Sequence, residues 1–201
     1  LEKHGGRLLK SAHVEQILVK NNRAVGVCLR GGQEIKARRA VISNASVWDT
    51  LKLLPEEAVS KQFRQKRVST PECDSFMHLH LGIDAQGLKS NLACHYIVVN
   101  DWEKGITAPQ NLVLISIPSL LDPSLAPPVK HVIHLYTPGN EPYAIWQGMN
   151  RNSEEYKQQK QARAEVMWQA LERIIPDMRS RCEVTLVGTP LTHERFLRRH
   201  R

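Results

Sequence analysis

The sequence lacks a hydrophobic run long enough to cross a membrane. Its longest apolar stretch, residues 112–121, is interrupted by Ser116, Pro118 and Ser119. That stretch is far shorter than the roughly 20 residues of a spanning helix. With 201 residues, 41% hydrophobic and 24% charged content, the chain has the composition of a folded protein with a real core.

Cysteine is scarce, and none of it is arranged for chemistry. The four cysteines, Cys28, Cys73, Cys94 and Cys182, form no C-x-x-C pair. At this chain length and cysteine density we expect no disulfide framework. We expect a reducing compartment.

Catalytic motifs are also missing. The chain has no Gly-x-Ser-x-Gly elbow and no G-x-G-x-x-G turn, since Gly5-Gly6 and Gly31-Gly32 are turn glycines. The residues alone therefore assign no catalytic group.

Acidic residues are outnumbered, and the formal net charge is +8. Residues 1–39 hold nine Lys and Arg against three Asp and Glu, and residues 61–67 hold four basic residues and no acidic one. Such charge suits nucleic acid, an anionic membrane surface or an ordinary solvated face. No recognition helix, aromatic pair or zinc-finger spacing accompanies it, so we predict no nucleic-acid partner.

The N-terminal pattern predicts a β-meander over residues 7–43. Turns at Asn21-Asn22 and Gly31-Gly32 separate short strand patterns. Residues 40–43 read as a brief strand buried on both faces, followed by a helix that Ser46 caps.

From about residue 73 the pattern predicts an antiparallel sheet and one long helix. Residues 76–83 alternate apolar and polar positions, and further strands are expected at 95–99, 112–117, 132–136 and 183–187. Residues 143–147 are a candidate for one more. A helix is expected over 153–175, capped by Asn152, and a basic helix over 193–199. The fold class is α+β.

Two imidazoles on one strand face, His78 and His80, have a spacing that can chelate a metal. A third ligand would have to come from His95, His131 or His134. No Cys, Asp or Glu spacing supports such a site, and the sequence predicts no metal.

The order of the N-terminal features resembles one block of a known family. Residues 1–6, strands carrying Val14 and Val27, a glycine turn and residues 40–45 resemble the segment that closes the FAD-binding domain of phytoene desaturases and carotenoid isomerases. These belong to the amine-oxidase-like flavoproteins. Residues 188–196 (GTPLTHERF) resemble the stretch before the final FAD-contacting segment of the carotenoid isomerase branch.

The resemblance implies a fold and a set of site residues. The β-meander would be a remnant of the FAD-binding domain (residues 1–46), joined to a substrate domain with an antiparallel or mixed sheet and flanking helices (47–192). Residues 193–201 would start the return to the FAD domain. Cofactor-binding residues would be Val14, Ser43, Asn44 and Ala45. Weak candidates for a substrate cavity wall are Met77, Leu79, Leu81 and Ile83.

The resemblance also implies what the whole protein does. We expect an internal fragment of an FAD-dependent enzyme that acts on a long lipophilic polyene, with a carotenoid cis-trans isomerase of the prolycopene type favoured. The alternatives are an FAD-dependent desaturase or oxidoreductase on another lipophilic or amine substrate, and a non-catalytic lipid- or partner-binding module. The fragment alone is expected to lack activity and not to retain FAD. We expect a cytoplasmic or plastid-stromal protein that docks peripherally on a membrane surface.

Overall fold

Residues 1–198 are described by a computed structural model, in which the N-terminal strands form the antiparallel meander that their turns predict. Asn21 and Asn22 take positive φ angles of 50° and 57°, the backbone that a tight hairpin turn needs. The strands are β1 Val14–Lys20, β2 Arg23–Leu29 and β3 Glu34–Lys36. Their order is β1-β2-β3, so β1 lies at an edge of the sheet.

The predicted buried strand at residues 40–43 is wrong. Ile42 in this segment is 93% exposed, and within residues 1–198 no strand pairs with it. An apolar strand of this kind needs neighbours on both sides and a layer on each face, and the three-stranded sheet supplies neither.

The helix signal that follows residue 45 is confirmed. The Ser46 hydroxyl accepts a hydrogen bond from the Asp49 amide at 3.1 Å, which satisfies one of the free donors at the helix start. The two helices here are α1 Val47–Leu53 and α2 Lys61–Val68. They are tied together by Arg64, which donates to the carbonyl oxygens of Leu51 (3.0 Å) and Pro55 (3.1 Å).

By its internal contacts the chain divides into two compact units, residues 1–71 and a second unit that begins at Glu72. Helices α1 and α2 thus fold with the meander. The division by function that the sequence suggested, at residues 46 and 192, stays a prediction.

The second unit is built on a five-stranded antiparallel sheet. Its strands are β4 His78–Asp84, β5 His95–Val99, β6 Leu112–Ser116, β7 Lys130–Tyr136 and β8 Cys182–Gly188. The strand order is β5-β6-β7-β4-β8, so β4 lies between β7 and β8. In this register His80 is opposite His134 on one side and Leu186 on the other.

One long helix covers one face of this sheet. Helix α3 spans Glu154–Glu172 and is capped by Ser153, whose hydroxyl accepts from the Tyr156 amide at 3.2 Å. The predicted cap Asn152 lies one residue too early to serve the first helical turn. Met167, Ala170 and Leu171 are fully buried against the sheet, as the apolar stripe predicts.

The predicted strand at residues 143–147 is wrong. Tyr143–Ile145 forms a single 3-10 turn that begins after Pro142. Trp146 follows with no exposed surface, and its indole N–H donates to Glu141 at 2.8 Å. Because this large ring is buried in the core, the backbone turns inward here. The segment therefore does not lie beside a strand with which it could pair.

The remaining helices are α4 Met178–Arg181 and α5 Pro190–Leu197. Helix α5 begins three residues before the predicted start, because Thr189 forms a capping box with Thr192 and Pro190 suits the first helical position. Arg199, the last residue of the predicted basic helix, lies outside the described residues. Among residues 1–198, no helix is long and apolar enough to cross a membrane.

Candidate functional site

The pleat of β4 sends alternate side chains to opposite faces of the five-stranded sheet. Met77, Leu79, Leu81 and Ile83, in and just before this strand, are between 0% and 3% exposed and belong to the core cluster shared with α3. We call this side the closed face. His78 and His80 point to the opposite side, which we call the open face.

Three histidines meet on the open face, and we call them the histidine cluster: His78, His80 and His134. The His80 and His134 rings are almost parallel, with centroids 4.3 Å apart and an interplanar angle of 3°. Nδ1 of His78 lies 2.5 Å from Nε2 of His134. One ring nitrogen from each of the three histidines lies within 4.8 Å of the other two.

Helix α5 brings a fourth imidazole against the histidine cluster. The His193 ring centroid lies 4.7 Å from that of His78 and 4.6 Å from that of Phe76, and the ring hydrogen-bonds the backbone of Phe76. The helix is held in place at its start, where Thr189 is buried and its hydroxyl bonds the Tyr156 hydroxyl of α3 at 2.9 Å.

The histidine cluster is uncharged at neutral pH. Burial lowers the pKa of His78 to about 3, and the neighbouring histidines lower that pKa further. Burial together with His80 lowers the pKa of His134 to about 4. Burial also lowers the pKa of His80 and of His193. Each of these shifts favours the neutral imidazole, because a buried cation loses hydration.

Two ring nitrogens beside this cluster are buried without a hydrogen-bond partner, Nε2 of His78 and Nε2 of His193. A buried polar atom without a partner is uncommon in folded proteins and calls for a physical reason. His78 also borders the larger of the two cavities described below, and an unpaired imidazole nitrogen in such a ring is able to take a ligand.

Two cavities adjoin the histidine cluster on the open face. One, of about 520 Å³, is bordered by apolar side chains and the aliphatic parts of polar ones. They include Pro118, Ala126, Val132, Val184 and Leu186. The other, of about 670 Å³, is bordered by Phe76, Tyr96, Ile97, Leu114 and Tyr136 among others. His134 borders both cavities.

Large apolar side chains on this face are uncovered in the described chain. Ile97 is 71% exposed and Leu186 is 62% exposed. Apolar surface of this kind, next to a cavity and to rings that carry no charge, suits a lipophilic ligand with few polar atoms.

Comparison with known proteins gives the chain its family. No family model matches it. Over 97% of its length the chain is 36% identical to a chloroplastic prolycopene isomerase of Daucus carota and equally to that of Arabidopsis thaliana. The chain belongs to the carotenoid isomerase family. It spans 31% and 32% of these two proteins, about a third of the length of the curated relatives.

A more distant relative and two solved structures are also similar to the chain, and the structures are similar to it in fold. The chain is 28% identical to the all-trans-retinol 13,14-reductase of Danio rerio over 98% of its length, which is 36% of that protein. An oxidoreductase structure from Methanosarcina mazei matches 93% of the chain and 38% of its own with a TM-score of 0.54 at 20% identity. A structure from Pyrococcus furiosus matches the chain with a TM-score of 0.55. The three relatives of this chain named above are enzymes, two isomerases and one reductase.

The four predicted cofactor residues all lie in the first compact unit. Val14 is the first residue of the edge strand β1. Ser43, Asn44 and Ala45 form an exposed, irregular segment before α1, in which the Ser43 hydroxyl bonds that of Thr50 at 2.7 Å. A backbone can approach a ligand closely where side chains are small, as they are in this segment. The role of these four residues in binding a flavin nucleotide stays a prediction.

The four predicted cavity-wall residues, Met77, Leu79, Leu81 and Ile83, lie on the closed face. Their side chains pack into the core, and Leu81 and Ile83 also border the 520 Å³ cavity. Their role as a substrate wall stays a prediction, and the open face offers the more accessible surface.

Sequence reasoning did not single out Tyr136, Val184 and Leu186 for the site and gave His134 only as one of three choices. A signal for two of them was present, since His134-x-Tyr136 repeats the alternation of His78-x-His80 on another strand. Only the pairing of β4 with β7 makes the two alternations share a face.

Proposed function

We propose that this chain forms the substrate-binding part, and one border of the cofactor site, of an FAD-dependent carotenoid cis-trans isomerase of the prolycopene type. The observation that carries the proposal is the apolar open face with its adjoining cavities and uncharged histidines. It occurs in a chain 36% identical to prolycopene isomerases.

The open face suits a polyene because such a substrate offers almost no hydrogen-bonding groups. Its recognition must rest on apolar contact and on the flat faces of its conjugated bonds. Val184 and Leu186 supply apolar contact at the smaller cavity, and Phe76 and Tyr136 supply rings at the larger one. Neutral imidazoles add flat surfaces without the desolvation cost of a charge.

FAD is the cofactor that the family implies, and it would supply the electron chemistry when bound. We propose that Val14 approaches the adenine through its backbone, and that Ser43, Asn44 and Ala45 lie near the cofactor. The 201-residue chain carries no G-x-G-x-x-G turn to hold the diphosphate. We therefore expect the isolated chain to be colourless, and stoichiometric flavin absorbance at about 450 nm would contradict this.

A second candidate is an FAD-dependent oxidoreductase that adds hydrogen to a polyene or removes it. The 28% identity to all-trans-retinol 13,14-reductase favours this candidate. A desaturase or reductase changes the mass of its substrate by two hydrogens, whereas an isomerase leaves the mass unchanged.

The mass difference defines the experiment. The full-length protein is incubated with reduced FAD and prolycopene-loaded liposomes. The products are separated by chromatography, and their molecular masses are measured. We expect all-trans carotenoid of unchanged mass. A product two hydrogens lighter or heavier would favour the oxidoreductase, and unchanged substrate that stays bound would favour a non-catalytic lipid-binding module.

We further propose peripheral docking on an anionic membrane surface, in the plastid stroma or the cytoplasm. The plant relatives are named chloroplastic, and carotenoids dissolve in membranes. The basic stretches at residues 1–39 and 61–67 supply positive charge for such docking. Co-sedimentation with anionic liposomes, weakened by salt, tests it.

A further inference from the structure

The histidine cluster has the layout of a metal site. His78 and His80 stand two residues apart on β4, and His134 faces His80 from β7. We propose that these three histidines bind one divalent transition-metal ion, with Zn²⁺ as the best fit. The site lies on the open face, and its occupation does not depend on the proposed carotenoid chemistry.

The distances are close to those that zinc requires. Zinc lies 2.0–2.1 Å from imidazole nitrogens, so two ligands at the tetrahedral angle are about 3.3 Å apart. The His78 and His134 nitrogens, now 2.5 Å apart, must separate by about 1 Å. The widest pair in the cluster, within 4.8 Å, must close by at most about 1.5 Å. Both movements require the rings to turn about their side-chain bonds, because the His80 and His134 rings are now almost parallel.

The donor set selects the kind of ion. Within residues 1–198 the group consists of imidazoles alone, without a carboxylate or a thiolate. Neutral nitrogen ligands suit zinc, copper and nickel, whereas magnesium and calcium take oxygen ligands. Three histidines with a fourth position left open are also the ligand count of one class of catalytic zinc site.

The surroundings of the cluster support binding. His193 packs against His78 from α5, with ring centroids 4.7 Å apart. The cluster borders both cavities, which gives an ion a route from solvent and leaves room for a water molecule as the fourth ligand.

Metal titration of the purified protein tests the site. The protein is stripped with a chelator and titrated calorimetrically with Zn²⁺, then with Co²⁺ while the visible spectrum is recorded. We expect one ion per chain and the absorption of four-coordinate cobalt. His80→Ala, at the most exposed of the three rings, and His134→Ala should each weaken binding at least about 100-fold, more than the loss of an outer-shell partner.

His95→Ala is the matched control, because His95 lies on the same open face and bonds Ser116 at 2.9 Å outside the cluster. It should leave the affinity unchanged, and circular dichroism should show all variants folded. Absence of a one-to-one zinc complex in the wild type would overturn the proposal. Equal affinity in the wild type and both cluster variants would also overturn it, because the ion would then sit elsewhere.

Discussion

The two faces of the five-stranded sheet consist of alternate residues of the same strands, yet they do different work. On the closed face, Leu79 and Leu135 have no exposed surface and pack under α3. On the open face, Ile97 and Leu186 are more than half exposed and border cavities. The closed face supplies stability and leaves the open face free to vary for binding, so substitutions on the two faces should have separable effects.

The largest effect is expected where the closed side holds a buried charge. Glu141 has no exposed surface and accepts hydrogen bonds from Arg163 of α3 (2.6 and 2.8 Å) and from Trp146 (2.8 Å). Glu141→Ala should lower the free energy of unfolding by about 4 kcal/mol, because Arg163 loses its partner while largely buried.

Urea denaturation measures that loss, and Glu154→Ala provides the control. Glu154 pairs with Lys157 on the exposed surface of α3, and such a pair contributes at most about 0.5 kcal/mol. Similar losses in the two variants would mean that the Glu141 pair is not a buried network.

The next effect separates the faces directly. Leu79→Ala should cost about 3 kcal/mol of unfolding free energy, because it leaves a cavity in a packed core. Leu186→Ala, on the exposed side of β8, should change that free energy by less than about 1 kcal/mol. Both are read from the same denaturation curves, and a large cost at Leu186 would show that the open face is covered in solution.

A smaller effect is expected where a helix joins the two sides. Thr189 caps α5, which carries His193 to the open face, and bonds Tyr156 of α3. Thr189→Ala should destabilise the fold by about 1 kcal/mol, whereas Thr189→Ser should restore most of that loss. Faster hydrogen exchange confined to the amides of α5 would locate the effect, and uniform exchange would contradict it.

The smallest effect on stability should come with the largest effect on function. Leu186→Ser should change the free energy of unfolding by less than about 1 kcal/mol and weaken turnover of prolycopene by the full-length protein, since it places a hydroxyl on the proposed wall. Unchanged turnover in this variant, at unchanged stability, would remove Leu186 from the substrate site.

Two strands of the five-stranded sheet, β4 and β5, were predicted well from the sequence. The bounds of β5, His95–Val99, match the prediction, and β4 shows the predicted division of its side chains between two faces. Period-two patterns report burial on one side directly, so a single strand carries the information by itself.

The wrong strand predictions failed because their outcome depended on neighbours. Residues 40–43 have the composition of a buried strand but no pairing partner among residues 1–198. In residues 143–147 the apolar side chain of Trp146 belongs to the core, and the segment does not pair as a strand.

The candidate site was partly hidden from the sequence for the same reason. His78 and His80 can be placed on one face from their spacing, but His134 joins them only through the register of β4 with β7, 56 residues away in sequence. The local pattern His134-x-Tyr136 does not show which strand pairs with β4, so it could not select His134 over His95 or His131 as the third member.

The lowered pKa values of His78 and His134 mean that a moderate fall in pH hardly alters the charge of these two rings. An ordinary histidine gains its charge near pH 6.5, whereas these two rings, with pKa values of about 3 and about 4, stay neutral well below that. If a compartment acidifies from pH 7 to about 5, these two rings therefore stay uncharged, and contact with lipid costs no additional desolvation of charge.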